Sequence, residues 1–373
     1  MSSVLGSVSL KFSDEQSMLL DVARGFVNDK SPIDSVRAHL ETDTGFDPEV
    51  WAEMVNLGWT GIALPEQVGG SGLGVGSVIP VVEAMGQGLL GTPLISTTLA
   101  GQLLMRTGEA EAEPFLARIA AGEVATVAFL DGGDWGGTNL GLCVDQGGAL
   151  QGVKRMVTDA GCAAIFVIPC LQGDAVSLAV VESDELPADA IRDRTLIDLT
   201  KRASDVDFSG ITPKVLLSGD KVATAIRDYL LLGALLTAAE STGTANRCLA
   251  VIVDYLKTRK QFGKLIGSYQ ALKHPSVDIY CGVENARSFI YHAATLLSDA
   301  PLDLDAESAC RMAKIEATEL MSFAGDRSVQ FHGGIGFTWD CDSTLFIRRA
   351  QWSRQNFGDA AHHRKRLAVL LLD

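Results

Sequence analysis

Residues 255–264, Tyr255-Leu256-Lys257-Thr258-Arg259-Lys260-Gln261-Phe262-Gly263-Lys264, gather the most suggestive chemistry in the chain. A helix carrying basic residues ends here at Gly263. Arg259 offers a bidentate guanidinium, Gln261 an amide and Gly263 a flexible backbone. These are parts suited to a phosphate-bearing cofactor. The same cations also serve to cap helix carbonyls, and spacing alone leaves both readings open. A second stretch, Gln330-Phe331-His332-Gly333-Gly334-Ile335-Gly336-Phe337-Thr338-Trp339, clusters glycines that let a backbone approach a ligand closely. An ordinary helix-end turn uses the same residues. It lacks the strand-to-helix context of a dinucleotide fingerprint, so classical NAD binding is rejected. His274, His332, His362 and His363 carry no metal spacing, and the seven cysteines form no zinc pattern. No metal is expected, and the cysteines read as reduced core thiols.

The elements that must position these stretches follow from apolar periodicity. Ser13 to Gln16 has a capping-box pattern, and a helix with apolar positions from Leu19 to Val27 should follow until Pro32 stops it. Further helices are expected near 48–57, 73–106 and 109–121, around a glycine-rich loop containing Gly69, Gly70 and Gly72. From Val124 to Phe208 the pattern changes to short β-branched runs separated by Gly, Asp and Asn, which reads as an antiparallel β unit. Four long helical segments over 227–257, 269–297, 305–331 and 343–372 then suggest a bundle. Pro275 should kink the second of them. The expected fold class is α+β with three domains: residues 1–122 helical, 123–212 middle β domain, and 213–373 C-terminal four-helix bundle. The chain has 373 residues, 47% hydrophobic, with formal net charge −15. That surface repels nucleic-acid phosphates and anionic lipid, so neither partner is expected. No secretory leader is read at the start, and a cytoplasmic protein is expected.

Taken together, the RKQFG and QFHGGIGFT segments, in this order and at this separation, resemble the two signature regions of acyl-CoA dehydrogenases. The LPEQVGGSGLG loop and the α–β–α order are similar to that family as well. The resemblance implies FAD as cofactor, an acyl-CoA thioester as substrate and electron-transfer flavoprotein as electron acceptor. In the family these two motifs hold the adenosine-diphosphate half of an FAD whose flavin sits in a neighbouring subunit. Carried over, Arg259, Gln261, Phe262, Gln330, Gly333, Gly334 and Gly336 would grip that half.

Elsewhere the sequence departs from the family pattern. The family's flavin-cradling Thr-Glu-Pro-x-Ala-Gly-Ser-Asp-like loop is replaced by residues 129–137, with glycines but without the Pro, Ala or Ser. The family's Trp-Ile-Thr-Asn segment reads Met156-Val157-Thr158-Asp159. Thr158 keeps the hydroxyl that faces the flavin, and the stacking Trp is gone. Each lost hydrogen bond costs on the order of 1 kcal/mol. The catalytic carboxylate comes from one of two family positions. Gly233 stands at the first, with Ala234 in place of an expected Arg. Near the second, Gly358-Asp359-Ala360-Ala361 replaces a Tyr-Glu-Gly-Thr-like stretch, which makes Asp359 the candidate base. An exposed acid pairing with Arg364 or Lys365 is the ordinary alternative for Asp359. Glu240, on the same helix face as Gly233, is either a relocated base or a structural salt bridge.

An ADP clamp that is intact beside an eroded flavin cradle resembles the partner chains of actinobacterial α2β2 dehydrogenases of steroid side-chain CoA esters. The expected partner is then a homologous dehydrogenase subunit in a heterotetramer. Two alternatives are a self-sufficient homotetrameric enzyme using Asp359, and a non-catalytic acyl-CoA-binding or scaffolding protein without flavin.

Overall fold

The computed structural model describes residues 14–372. Among the described residues six helices come first: α1 (Asp14–Lys30), α2 (Ile33–Ala38), α3 (Pro48–Asn56), α4 (Ile79–Gln87), α5 (Leu94–Thr107) and α6 (Glu113–Ala120). The expected Ser13 cap lies outside the described residues. Asp47 caps α3 by accepting from the Glu49 N–H at 2.8 Å, and Pro48 occupies the first helical turn. The single helix expected over 73–106 is two, because the segment between α4 and α5 holds Gly88, Gly91 and Pro93 and puts Leu89 at φ 51°.

Nine strands follow: β1 (Ala125–Val127), β2 (Cys143–Val144), β3 (Leu150–Gln151), β4 (Val153–Thr158), β5 (Ile165–Gln172), β6 (Ala175–Glu182), β7 (Ile191–Asp193), β8 (Ala203–Asp207) and β9 (Val215–Ser218). One sheet runs β3-β2-β5-β6-β9, with β1 also on β5; the other runs β4-β8-β7. The expectation of a purely antiparallel unit needs correction. β1 and β2 both lie parallel to β5. With eight residues, β5 accepts these two short strands one after the other along a single edge. Phe166 of β5 and Phe208 meet edge to face at 5.8 Å in a separate small core between the sheets.

The last part is helical: α7 (Asp220–Thr258), α8 (Gln270–Leu296), α9 (Leu304–His332), α10 (Ser343–Gln355) and α11 (Ala360–Leu372), with a hairpin of β10 (Lys260–Gln261) and β11 (Lys264–Leu265) after α7. Pro275 falls in the second turn of α8, and the helix continues through it. The helix expected over 343–372 is divided at residues 356–359, where Phe357 and Gly358 take φ 59° and 91°. Among the described residues α7 is the one helix long and apolar enough to cross a membrane, and most of its apolar stretch is buried inside the protein. It crosses α4 at backbone contact: a Cβ at Gly243 would lie 1.9 Å from the Glu83 carbonyl oxygen, and one at Gly86 2.1 Å from that of Glu240. Glycine at both positions is therefore what lets α7 sit deep enough to carry Glu240 into the interior. The buried Arg106–Asp228 pair, 3.0 Å, ties α5 to the same helix.

Candidate functional site

The first candidate region is built where α7 and α9 end. Arg259 is the C-cap of α7, with its N–H on the Tyr255 carbonyl. Phe262 and Gly263, both at positive φ (52° and 79°), form the two-residue turn between β10 and β11. Two successive left-handed residues are what a tight hairpin of this twist requires. The turn leaves Phe262 90% exposed, edge-on to Tyr269 at 6.4 Å. Lys264 Nζ stands 4.3 Å from the same Tyr269 ring. At the end of α9, Gly333 caps the helix at φ 63°, and a Cβ at Gly333 or Gly334 would meet nothing within 4 Å. A Cβ at Gly336 would instead strike the Val329 carbonyl oxygen at 2.2 Å, so that glycine folds the loop back on α9. Tyr255 stacks on His332 at 4.3 Å, and this joins the two segments at one end of the helices. His332 is fixed by the Ser328 carbonyl at 2.7 Å.

The sequence separates these segments by some seventy residues, and the fold brings them together. Among the described residues the side chains of Arg259, Gln261 and Gln330 make no hydrogen bond or ion pair. A free guanidinium, two free amides and open space over paired glycines fit a diphosphate and its adenosine. Phe262 and Phe337, 79% exposed, supply apolar surface beside them.

The second region is a cleft between α5, β1, the end of β4, α7 and the α10–α11 turn. Thr158 lines it, and its carbonyl accepts from Thr126 Oγ1 at 2.6 Å. Met156, in place of the family's Trp, sits at a β-bulge with φ 50° and packs, like Trp135, against the small buried cluster of Leu196, Ala203 and Trp352. The preceding loop, 129–137, is organised around Asp131, which accepts from the N–H of Gly141 and Leu142 and from buried Lys154 at 2.7 Å. Burial pulls the Lys154 ammonium below its ordinary value, and Asp131 opposes this.

Aromatic rings crowd the cleft. Tyr229 lies 5.7 Å from Phe129 and 5.6 Å from Phe357, and Trp135 meets Trp352 at 5.5 Å. The cavity left is about 50 Å³. Pockets for drug-sized ligands run to roughly 300–1,000 Å³, so the cleft in this conformation is small by that standard.

Charges close its floor. Glu240 accepts from Lys201 Nζ at 2.6 Å, and Arg349 Nη1 stands 2.9 Å away as an ion pair out of hydrogen-bond alignment. Arg349 also pairs with Asp198. Burial pushes Glu240 up, but Arg349 and Lys201 outweigh it and hold the carboxyl below its ordinary value. Glu240 is thus the structural salt bridge of its two alternatives, committed to two cations and ill suited to accept a proton. Asp159 shows the reverse: burial pushes its carboxyl up, against a 2.5 Å hydrogen bond from Ser96 and the charge of Lys201.

Asp359 does not line the cleft. Its carboxylate accepts the His362 N–H at 2.8 Å and its carbonyl the His363 N–H at 3.0 Å, which caps α11. The pairing considered with Arg364 is absent too, since Arg364 bonds Glu319 at 2.6 Å. From this turn it is Phe357, with Asn356, that reaches the cleft. Phe357 lies against Gly233, where a Cβ would stand 2.3 Å from the ring. Phe357, Trp352, Ser96, Asp159 and Lys201 were not singled out from the sequence, because no motif marks a residue that enters a cleft only through a bend between helices. The one available signal was the glycine after Phe357, which breaks the helical pattern.

Comparison with known proteins agrees with this architecture. Residues 13–123 match the family description "Acyl-CoA dehydrogenase, N-terminal domain" and residues 223–371 match "Acyl-CoA dehydrogenase, C-terminal domain". Acyl-CoA dehydrogenase IpdE2 of Mycolicibacterium smegmatis is 30% identical over 356 residues, covering 95% of this chain and 98% of the relative. Among solved structures, a variant of the Tcur3481-Tcur3483 steroid ACAD superposes with a TM-score of 0.86 at 26% identity, over 96% of this chain and 98% of that one. The ChsE4-ChsE5 complex from Mycobacterium tuberculosis has the same fold, TM-score 0.86 at 23% identity, over 98% and 99% of the two chains. A helical N-terminal part, a middle pair of sheets and a C-terminal helical bundle carrying both signature segments make this chain a member of the acyl-CoA dehydrogenase family of flavoprotein oxidoreductases.

Proposed function

We propose that this chain is one subunit of a heteromeric FAD-dependent acyl-CoA dehydrogenase, and that it holds the ADP half of an FAD whose flavin and catalytic carboxylate belong to a homologous partner subunit. The observation that carries this reading is a contrast between the two regions. Arg259, Gln261, Gln330 and the open glycines Gly333 and Gly334 are uncommitted at the surface. The chain's own cleft is packed with aromatic rings, and Phe357 against Gly233 presents a phenyl ring and no carboxylate. In this reading Gly336 shapes the loop, Phe262 covers the adenosine, and Thr158 is a remnant of the cradle. When bound, the flavin supplies the hydride acceptor for α,β-dehydrogenation of a CoA thioester. This chain's part is to bind and orient one end of the cofactor.

Three further features belong to the proposal. The substrate class is a steroid-derived CoA thioester, supported by likeness to a steroid ACAD. The assembly is a heterotetramer, supported by likeness to a structure solved as a two-component complex. The acceptor is electron-transfer flavoprotein and the location cytoplasmic. One relative, the caffeyl-CoA reductase subunit CarC of Acetobacterium woodii, is named as part of an Etf complex.

The test is the flavin absorbance of the chain purified alone and after co-expression with a homologous acyl-CoA dehydrogenase subunit from the same genome. Flavin only in the co-purified complex, at about one per pair of unlike subunits, is the expected result. One FAD per chain in the isolated protein defeats the proposal.

A further inference from the structure

Phe357 lines two cavities at once. On its inner side is the cleft with Thr158, Asp159 and Glu240; on its outer side is a second cavity of about 230 Å³. The outer cavity is lined by Arg227, Arg311 and Arg366 with His362 and His363; Arg227 pairs with Asp228 at 2.8 Å and Arg311 with Glu307 at 2.6 Å, so Arg366 is the cation left without an ion pair among the described residues. An anionic head group attached to an apolar body is the ligand chemistry such a vestibule attracts.

The ring between the two spaces is seated by several independent devices. Gly233 leaves a notch on α7 that any side chain would fill, since a Cβ there falls 2.3 Å from the ring. Tyr229 meets the ring edge to face. The backbone is held in a left-handed turn, φ 59° at Phe357, which strains a non-glycine residue and persists only where its surroundings enforce it. Those surroundings are identifiable. Lys314 Nζ donates to the carbonyls of Ser353 and Asn356, the latter at 2.6 Å. Arg311 can only donate, so His363 Nδ1 accepts from it at 3.3 Å. His363 therefore carries its proton on Nε2 and donates to the Phe357 carbonyl at 3.0 Å.

We infer that Phe357 is an aromatic plug, seated on Gly233, that separates an arginine-lined vestibule from the inner cleft and so decides that an anion-headed apolar ligand arriving from that side stops outside. The inference deepens the heteromer reading, since a cleft obstructed by an aromatic ring suits a chain whose chemistry lies in its partner, but its test involves no flavin and stands or falls separately.

The probe is 8-anilinonaphthalene-1-sulfonate, an apolar aromatic with an anionic head, titrated into the folded full chain. Wild type should bind the probe weakly, at the vestibule alone. Phe357→Ala should open one saturable site per chain, bound about tenfold tighter than any wild-type binding, with tryptophan emission quenched in proportion. Should Phe357→Ala melt without cooperativity, Phe357→Leu decides, with the same sign and a smaller gain. Gly233→Ala should lower the melting temperature by forcing the ring from its notch, and the Gly233→Ala/Phe357→Ala pair should recover most of that loss. Equal probe binding by wild type and a cooperatively folded Phe357 variant overturns the plug, as does a Gly233→Ala protein that melts at the wild-type temperature.

Discussion

Arg259 and Asp359 are both polar residues at helix ends, and their surroundings give them opposite assignments. Arg259 ends α7 with its guanidinium uncommitted among the described residues. A bidentate donor left free beside open glycines is available to a diphosphate, and a charge-assisted pair of this kind is worth about 1.5–3 kcal/mol. Arg259→Ala should therefore strip flavin from the assembled complex, with Arg259→Lys intermediate because an ammonium loses the fork. Full flavin occupancy and unchanged affinity in the alanine variant, read by absorbance after gel filtration, would count against the clamp. Asp359 has spent its carboxylate on the first turn of α11. Asp359→Asn keeps the cap and should leave turnover of the complex unchanged, whereas Asp359→Ala should cost about 1 kcal/mol of stability. A fall of several orders of magnitude in turnover for the asparagine variant would instead make Asp359 the base.

At the scale of an element, the turn between α10 and α11 is held by cationic residues that the interior keeps from being cations. Burial depresses the His363 imidazole from 6.5 to about 3, and depresses the Lys314 ammonium from 10.5 to about 7. The unfolded chain therefore binds a proton that the folded chain does not, for His363 between pH 6.5 and 3 and for Lys314 between pH 10.5 and 7. Stability must then rise with pH through each window. The His363 contribution is complete above pH 6.5 and lost as pH falls toward 3, at about 1.4 kcal/mol per unit. Urea unfolding between about pH 7 and pH 4 should show this acid loss, and His363→Gln, which still donates to the Phe357 carbonyl, should flatten it. An unchanged slope in that variant would assign the loss to other groups. The hairpin after α7 is the contrasting element: it is exposed, it holds its shape by two left-handed residues, and its side chains face outward.

For the whole molecule, the two regions lie on one long helix. α7 carries Gly233 and Glu240 at the cleft and Arg259 at its end, nineteen residues beyond Glu240 and so about 28 Å along the axis at 1.5 Å per residue. In the heteromer proposed above, one subunit would thus present two separate places, its own cleft and a surface for a cofactor end held from outside. A thermodynamic consequence follows from linkage. Adding FAD should raise the melting temperature of the heteromer, because the ligand binds the folded assembly alone, and should leave the isolated chain nearly unshifted. An equal rise for the isolated chain, measured by differential scanning fluorimetry, would mean that the chain holds a complete site by itself.

The sequence determined the order of elements and the family, because helical and strand periodicities, the glycines at turns and the two signature segments are local properties of the chain. It also brought forward the candidate clamp residues, since short motifs at helix ends keep their composition wherever the helix goes. Tertiary structure decided what those residues face. Two short strands lie parallel on β5 because that strand's free edge was available to both, which no local pattern encodes. Phe357 occupies the cleft and Asp359 does not, because the bend at residues 356–359 turns one side chain inward and commits the next carboxylate to a helix cap. Gly233 looked like a lost base in the sequence; in the fold it is the notch that admits a ring from a residue more than one hundred positions away. Such pairings depend on where helices cross, and that depends on the packing of the entire chain.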